Sequence, residues 1–239
     1  GPGARGGLQS PPFEVADVHP PSRARGYLIT IEGIDGAGKS TQVERLATLL
    51  TARGHRVVTT REPGATPLGR ELRRMVLGRE LALAPDAELL LFLADRAEHV
   101  ETIIAPALAG GALVLCDRFA DSTLAYQGHG RGRDLARVRR WSDESSAGIV
   151  PDLTLLLDCP IELGAERRHR ETDRYQILDP GFHARVRAGF LAEAAAAPAR
   201  VHRIDASRAL GDVSAEVARV TLAWLDARGF AAPATSASA

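Results

Sequence analysis

Lysine is almost missing from this chain. Of the 30 Lys plus Arg residues in 239, 29 are arginine and the single lysine is Lys39. Cysteine is scarce as well. Two thiols, Cys116 and Cys159, are too few for the disulfide framework of a small secreted domain, and each ends an apolar run, so both read as buried and unpaired. Long apolar runs are absent: none approaches the roughly 18 residues needed to cross a bilayer, and no charged-then-apolar signal pattern opens the chain. A cytoplasmic protein with no membrane partner is expected. Charge shows no excess of either sign, with 30 acidic residues against 30 basic ones, so no basic surplus points to nucleic acid. Among the histidines, His129, His169 and His183 lack metal-ligand spacing and read as surface or core residues.

What remains is ample for one core: 45% of the residues are apolar. Five apolar runs, 27–32, 56–60, 112–116, 152–158 and 201–205, are strand candidates separated by helical periodicity. Strands apolar on both faces that alternate with helices predict an α/β fold, a parallel sheet covered on both sides that binds ligands at the carboxyl ends of its strands. Residues 1–25, rich in Gly, Pro, Ser and Arg, are expected to be a disordered extension, in part a remnant of expression, and 230–239 a flexible tail. The domain should therefore span 26–229.

The one lysine falls in Gly33-Ile34-Asp35-Gly36-Ala37-Gly38-Lys39-Ser40, the phosphate-loop pattern G-x-x-x-x-G-K-[ST]. Before it runs the β-branched segment Tyr27 to Glu32. After it, Val43, Leu46, Leu49 and Leu50 carry helical spacing. In a strand, glycine loop and helix of this kind, successive N–H groups make an anion nest at a helix N-terminus. Lys39 then reaches the outer phosphates and the Ser40 hydroxyl faces Mg²⁺. Residues 33–40, with Thr41, are accordingly the ATP-binding candidates. An ammonium on a slim stem reaches between phosphate oxygens where a broad guanidinium does poorly, which explains a lysine here in a chain that otherwise uses arginine.

Polar clusters follow the other strands. Thr60-Arg-Glu-Pro-Gly-Ala-Thr66 follows the second, then Arg73 and Phe92-Leu-Ala-Asp-Arg96. Asp117-Arg118 follows the third, then Ser122-Thr-Leu-Ala-Tyr126-Gln127. Guanidiniums beside a flat apolar ring suit an enzyme that must bring two polyanions together and hold a base. Phe92 and Arg96, four apart, share a helical face. Asp117 either organises Mg²⁺ or pairs with Arg118, and Asp35 is either a ligand or a turn residue.

From about Tyr27 to Arg228 this order of motifs closely resembles the thymidylate kinases. The resemblance implies a three-layer phosphate-loop NTPase fold, a five-stranded parallel sheet in the order 2-3-1-4-5 with a short lid, and transfer of the γ-phosphoryl group of ATP to dTMP, giving dTDP and ADP. It assigns Arg73 and Arg118 to the acceptor phosphate with Arg61 beside them, and Arg96 to a thymine carbonyl. Phe92 would stack on the base, Thr123 and Gln127 would contact its polar edge, and Tyr126 would pack against the deoxyribose where a 2′-hydroxyl would sit. Asp35 would lie near the 3′-hydroxyl and phosphate, and Ser40 and Asp117 would hold Mg²⁺. A homodimer is implied in the same way. That strand order also keeps Cys116 and Cys159 two strands apart, beyond disulfide reach.

Glu166-Arg-Arg-His-Arg-Glu-Thr-Asp-Arg174 is by itself a solvated charge run. The phosphate loop contains no arginine, however, so the chain resembles the type whose catalytic arginine comes from the lid. Arg167, Arg168, Arg170 and Arg174 are the candidates, Arg168 and Arg170 foremost, with Arg167 also at ATP. Departures from the family are Ala65 in place of a second glycine, the short lid, and Gln176 where an acid is common. The rival readings are another phosphate-loop nucleotide or deoxynucleoside kinase, which Thr123, Tyr126 and Gln127 oppose, and an inactive nucleotide-binding module. A GTPase switch would need a second lysine for its guanine motif.

Overall fold

The computed structural model describes residues 25–167, 175, 178 and 180–230. All but the first residue of the tail, all but the last residue of the extension, and Arg168, His169, Arg170, Arg174 and Gln176 lie outside the described residues. Five strands, β1 (Leu28–Glu32), β2 (Val57–Arg61), β3 (Leu113–Asp117), β4 (Leu153–Asp158) and β5 (Val201–Asp205), form one parallel sheet in the order β2-β3-β1-β4-β5. This is the expected order, and the strands begin and end within a residue of the apolar runs.

β1 lies between β3 and β4 and is buried along its whole length, as a two-sided apolar strand requires. Of its two buried polar residues, Thr30 shares a 2.8 Å hydrogen bond with Thr154 on β4, and Glu32 ends the strand. α1 (Lys39–Ala52) packs Val43, Leu46 and Leu50 against the sheet while Leu49 is half-buried. Cys116 and Cys159 are buried and unpaired.

Three α-helices separate β2 from β3. α2 (Pro67–Leu77) starts with proline in its first turn, and Thr66 caps it by accepting the Gly69 N–H at 2.8 Å. α3 (Pro85–His99) runs into a wide π-type turn, Val100–Ile104, and then into α4 (Ala105–Ala109). After β3, α5 (Ala120–Thr123) passes into a second π-type segment, Leu124–Gly130, and then to α6 (Leu135–Ser145), capped by Asp134. α7 (Ile161–Arg167) follows β4, α8 (Pro180–Ala196) precedes β5, and α9 (Leu210–Asp226) lies against α1. Among the described residues no helix is long and apolar enough to cross a membrane.

The register brings Ile31, Arg61 and Asp117 level at one edge of the sheet, where all five strands end in the same sense. The phosphate loop and the polar segments after β2 and β3 leave from that edge.

Candidate active site

The phosphate loop owes its path to glycine. Gly33 has φ 138°, and a Cβ there would stand 2.4 Å from the Leu157 carbonyl oxygen. Gly38, at φ 94°, turns the chain into α1. The Lys39 ammonium is nearly enclosed, 7% exposed, and donates to the Ile34 carbonyl at 2.9 Å. Burial, with Arg118 second, lowers its pKa, opposed by Asp117, Asp35 and Glu32. One residue on, Ser40 Oγ donates to Asp117 Oδ2 at 2.6 Å on the solvent side of the loop, with Thr41 exposed beside it. Asp117 thus faces the loop, and Arg118 takes a different carboxylate.

Arg118 sits at φ 72°, and its fork is spent on four acceptors: Gly33 O and Ser122 Oγ at 3.0 Å, Asp35 Oδ1 at 2.5 Å and Tyr126 Oη at 3.2 Å. The Tyr126 hydroxyl donates to Asp35 Oδ2 at 3.2 Å. Burial would raise the Asp35 carboxyl, but the Arg118 and Lys39 charges and the hydrogen bonds from Arg118 and Tyr126 hold it at about 2. Burial raises the Tyr126 phenol, so that group is a donor at all working pH values.

Beside this lattice opens a cleft bounded by the phosphate loop, the loop after β2, α3 and the π-type segment. Asp35, Arg73, Phe92, Arg96, Arg118, Thr123, Tyr126 and Gln127 all line it. Arg61 does not; it stands exposed at the end of β2, level with Asp117. Arg73 donates to the Pro63 carbonyl at 2.9 Å. Arg96 is 2% exposed and held from three sides, by Glu62 at 2.9 Å and by Ser142 and Thr123 at 2.8 Å each. It is a fixed positive wall of the cleft. Phe92 lies half-buried on the same helix. Of the ATP-side candidates, Arg167 donates to the Ala206 carbonyl at 2.7 Å, joining α7 to the turn after β5.

Some residues of the site escaped the sequence reading. Glu62 bridges Arg96 and His99, whose Nε2 lies 2.6 Å from Thr60 Oγ1. Asp95 accepts the Gly64 N–H at 3.0 Å and lines the cleft; burial and the neighbouring Glu62 push it up to about 6. Tyr175 lines the cleft edge-on to Tyr126, with ring centres 5.7 Å apart, and Glu88 lies under Gln127. Glu62, Asp95 and Glu32 adjoin motif residues and could have been found by adjacency. So could Tyr175, which lies between Arg174 and Gln176. Among the described residues no three His, Cys, Asp or Glu side chains converge on a metal position, so a divalent cation here would rest on Ser40, Asp117 and the oxygens of its nucleotide.

Comparison with known proteins agrees with this geometry. A family model described as "Thymidylate kinase" matches residues 31–217. The thymidylate kinase of Desulfovibrio desulfuricans is 49% identical over 211 residues, covering 84% of this chain and 97% of the relative. That of Deinococcus radiodurans is 47% identical over 196 residues, covering 81% and 95%. The crystal structure of the thymidylate kinase of Ehrlichia chaffeensis superposes with a TM-score of 0.69 at 36% identity, covering 83% of this chain and 99% of that one. With a phosphate loop, an arginine-lined cleft and an aromatic wall in these places, the chain belongs to the thymidylate kinase family.

Proposed function

We propose that the cleft beside the phosphate loop receives dTMP and that the loop receives ATP with Mg²⁺, for transfer of the γ-phosphoryl group to give dTDP and ADP. The observation that carries this reading is the Arg118–Asp35–Tyr126 lattice, which joins the loop to the wall of the cleft. In it Arg118 and Arg73 meet the acceptor phosphate, Asp35 faces the sugar hydroxyl, and the Tyr126 ring closes the space beside C2′. Phe92 covers the base face, while Arg96, Thr123 and Gln127 face its polar edge. Arg61, outside the wall, acts only as a nearby charge.

No general base is needed. A phosphate monoester has a second pKa near ~6 and is already an oxyanion at neutral pH, so positioning and charge neutralisation suffice. Lys39 supplies fixed charge at the outer phosphates of the donor, and the N–H groups of residues 33–40 hold the rest. Ser40 and Asp117 are the residues to hold Mg²⁺, which when bound neutralises charge on the donor phosphates. Arg167 borders the donor nucleotide, and Arg168 or Arg170 supplies the catalytic guanidinium that the loop lacks.

A homodimer is part of this reading, and the exposed Leu68 and Met75 on α2 and Leu90 on α3 support it. Two buried, unpaired thiols fit the reducing cytoplasm. The deciding experiment is phosphorylation with ATP and Mg²⁺ across dTMP, dUMP, dCMP and thymidine. Turnover with dTMP foremost is expected, and preference for thymidine or dCMP would overturn the acceptor assignment.

A further inference from the structure

An amide side chain has two ends of nearly equal shape, a carbonyl and an NH₂. Which end of Gln127 faces the cleft decides which base edge it reads. Its Nε2 donates to Glu88 Oε1 at 3.3 Å and to the Tyr175 hydroxyl at 3.1 Å. Glu88 lies in the first turn of α3, is 2% exposed, and accepts a forked pair from Arg131, Nε at 3.2 Å and Nη2 at 2.9 Å. Arg131 is itself seated over the Tyr175 and Phe182 rings, 5.4 and 5.3 Å from their centres.

Tyr175 lies within hydrogen-bonding reach of both Glu88 and Arg131, and burial and the Glu88 carboxylate raise its phenol against the Arg131 charge, so the group stays protonated. A carboxylate only accepts, so the Tyr175 proton points to Glu88 and the hydroxyl oxygen is left as an acceptor for Gln127. Both neighbours of the amide therefore demand donors. Turning the amide over would set its carbonyl against two oxygen acceptors inside a buried pocket, an unpaired arrangement that protein interiors avoid.

We propose that Glu88 is a specificity-determining positioning residue that locks the Gln127 amide with its carbonyl toward the cleft, so that the acceptor base must present an N–H. This rests on the reading that places the base beside Gln127. Thymine and uracil carry a hydrogen at ring N3; cytosine has a lone pair there and would meet the carbonyl with repulsion. Glu88, which need not touch the nucleotide, thereby acts through Gln127 to separate keto pyrimidines from cytosine. Such a site rejects a ligand lacking the required hydrogen far more strongly than an apolar pocket rejects a missing methyl.

The test is steady-state kinetics of the full chain with dTMP, dCMP and N3-methyl-dTMP, for the wild type and for Glu88→Gln, Glu88→Asp and Gln127→Ala. In the wild type, dCMP and N3-methyl-dTMP should each fall ~10²-fold or more below dTMP in kcat/KM. Glu88→Gln replaces a pure acceptor by a group that can donate. It should narrow the dTMP to dCMP ratio by about tenfold or more, mainly through a higher KM for dTMP with kcat little changed. Glu88→Asp, which keeps a carboxylate, should keep the ratio. Use of N3-methyl-dTMP within about tenfold of dTMP by the wild type overturns the proposal with no variant needed. So does a folded Glu88→Gln whose ratio is unchanged or which weakens every acceptor alike. A ratio lost in Gln127→Ala but kept in Glu88→Gln overturns only the role of Glu88; a ratio kept in Gln127→Ala removes Gln127 from the base and both readings fall together.

Discussion

Asp117 and Ser40, 77 positions apart in the chain, meet through a 2.6 Å hydrogen bond that ties the end of β3 to the first turn of α1. Both groups suit Mg²⁺, and both sit at the exposed mouth of the phosphate loop. Asp117→Ala should raise the Mg²⁺ concentration for half-maximal rate about tenfold and lower kcat by ~10²-fold. Its melting behaviour should stay near wild type, since exposed polar contacts contribute little to folding. A Mg²⁺ titration at saturating nucleotide decides; lower kcat at an unchanged Mg²⁺ requirement would move Asp117 out of the metal site.

Lys39→Met should lower kcat by about a hundredfold or more, a barrier increase of roughly 3 kcal/mol, with the fold intact. The methionine stem fills the same enclosed channel, and what is lost is the charge beside the Ile34 carbonyl. Turnover assays beside a far-ultraviolet spectrum test this, and retention of a third of wild-type kcat would contradict it.

Phe92 and Tyr126 should separate base from sugar. Phe92→Ala should raise the KM for dTMP by the value of a lost stacking contact, about 1–3 kcal/mol. Tyr126→Ala should instead relax discrimination against the ribo acceptor, because the proposed acceptor pose sets the 2′ position against its ring. Parallel kinetics with dTMP and its ribose counterpart give the answer; equal loss for both in Tyr126→Ala would rule out steric exclusion.

Glu32 should make stability fall with pH, opposite to the usual acid. It is fully buried and accepts Phe119 N–H at 2.7 Å and the Ser122 hydroxyl at 2.5 Å. Burial, with Asp121 second, lifts it from 4.5 to about 8. The folded state thus binds the proton more tightly than the unfolded state, so the stabilisation is complete below pH ~4.5 and is lost as pH rises toward 8. Chemical denaturation from pH 5 to 8 should show a wild-type decline of up to a few kcal/mol, flattened in Glu32→Gln. An equal slope in the two proteins would place the proton elsewhere.

The lid arginines should act on the chemical step. Alanine at the contributing position among Arg167, Arg168, Arg170 and Arg174 should lower the single-turnover rate about 10²-fold with little change in nucleotide Kd, and lysine should rescue it poorly. Four rates near wild type would reduce the run to a solvated face.

The strands and the phosphate loop were legible in the sequence because each is a local pattern: two-sided apolar strands, and glycines fixed by φ and close approach, as at Gly33; the order of the strands came only with the family resemblance. The acceptor residues were legible only as a set of motifs resembling a family. What stayed hidden was pairing over long separations. Nothing in the sequence says that Arg118 holds Asp35 while Asp117 faces Ser40, or that Tyr175 and Glu88 converge on Gln127. Those contacts depend on where β3, α3 and Tyr175 come together, and they follow from tertiary packing.

The solitary lysine has a practical side. Apart from the amino terminus, Lys39 is the chain's only primary amine, it is 7% exposed, and its pKa is lowered by burial. Amine-directed chemistry on this protein is therefore close to single-site chemistry. Ester labels, amine-coupled sensor surfaces and lysine cross-linkers can attach only at the terminus or in the phosphate loop. An acylating dye that enters the loop would report nucleotide occupancy by its own exclusion, and an amine-coupled chip would either leave every molecule tethered by its amino terminus or silence it.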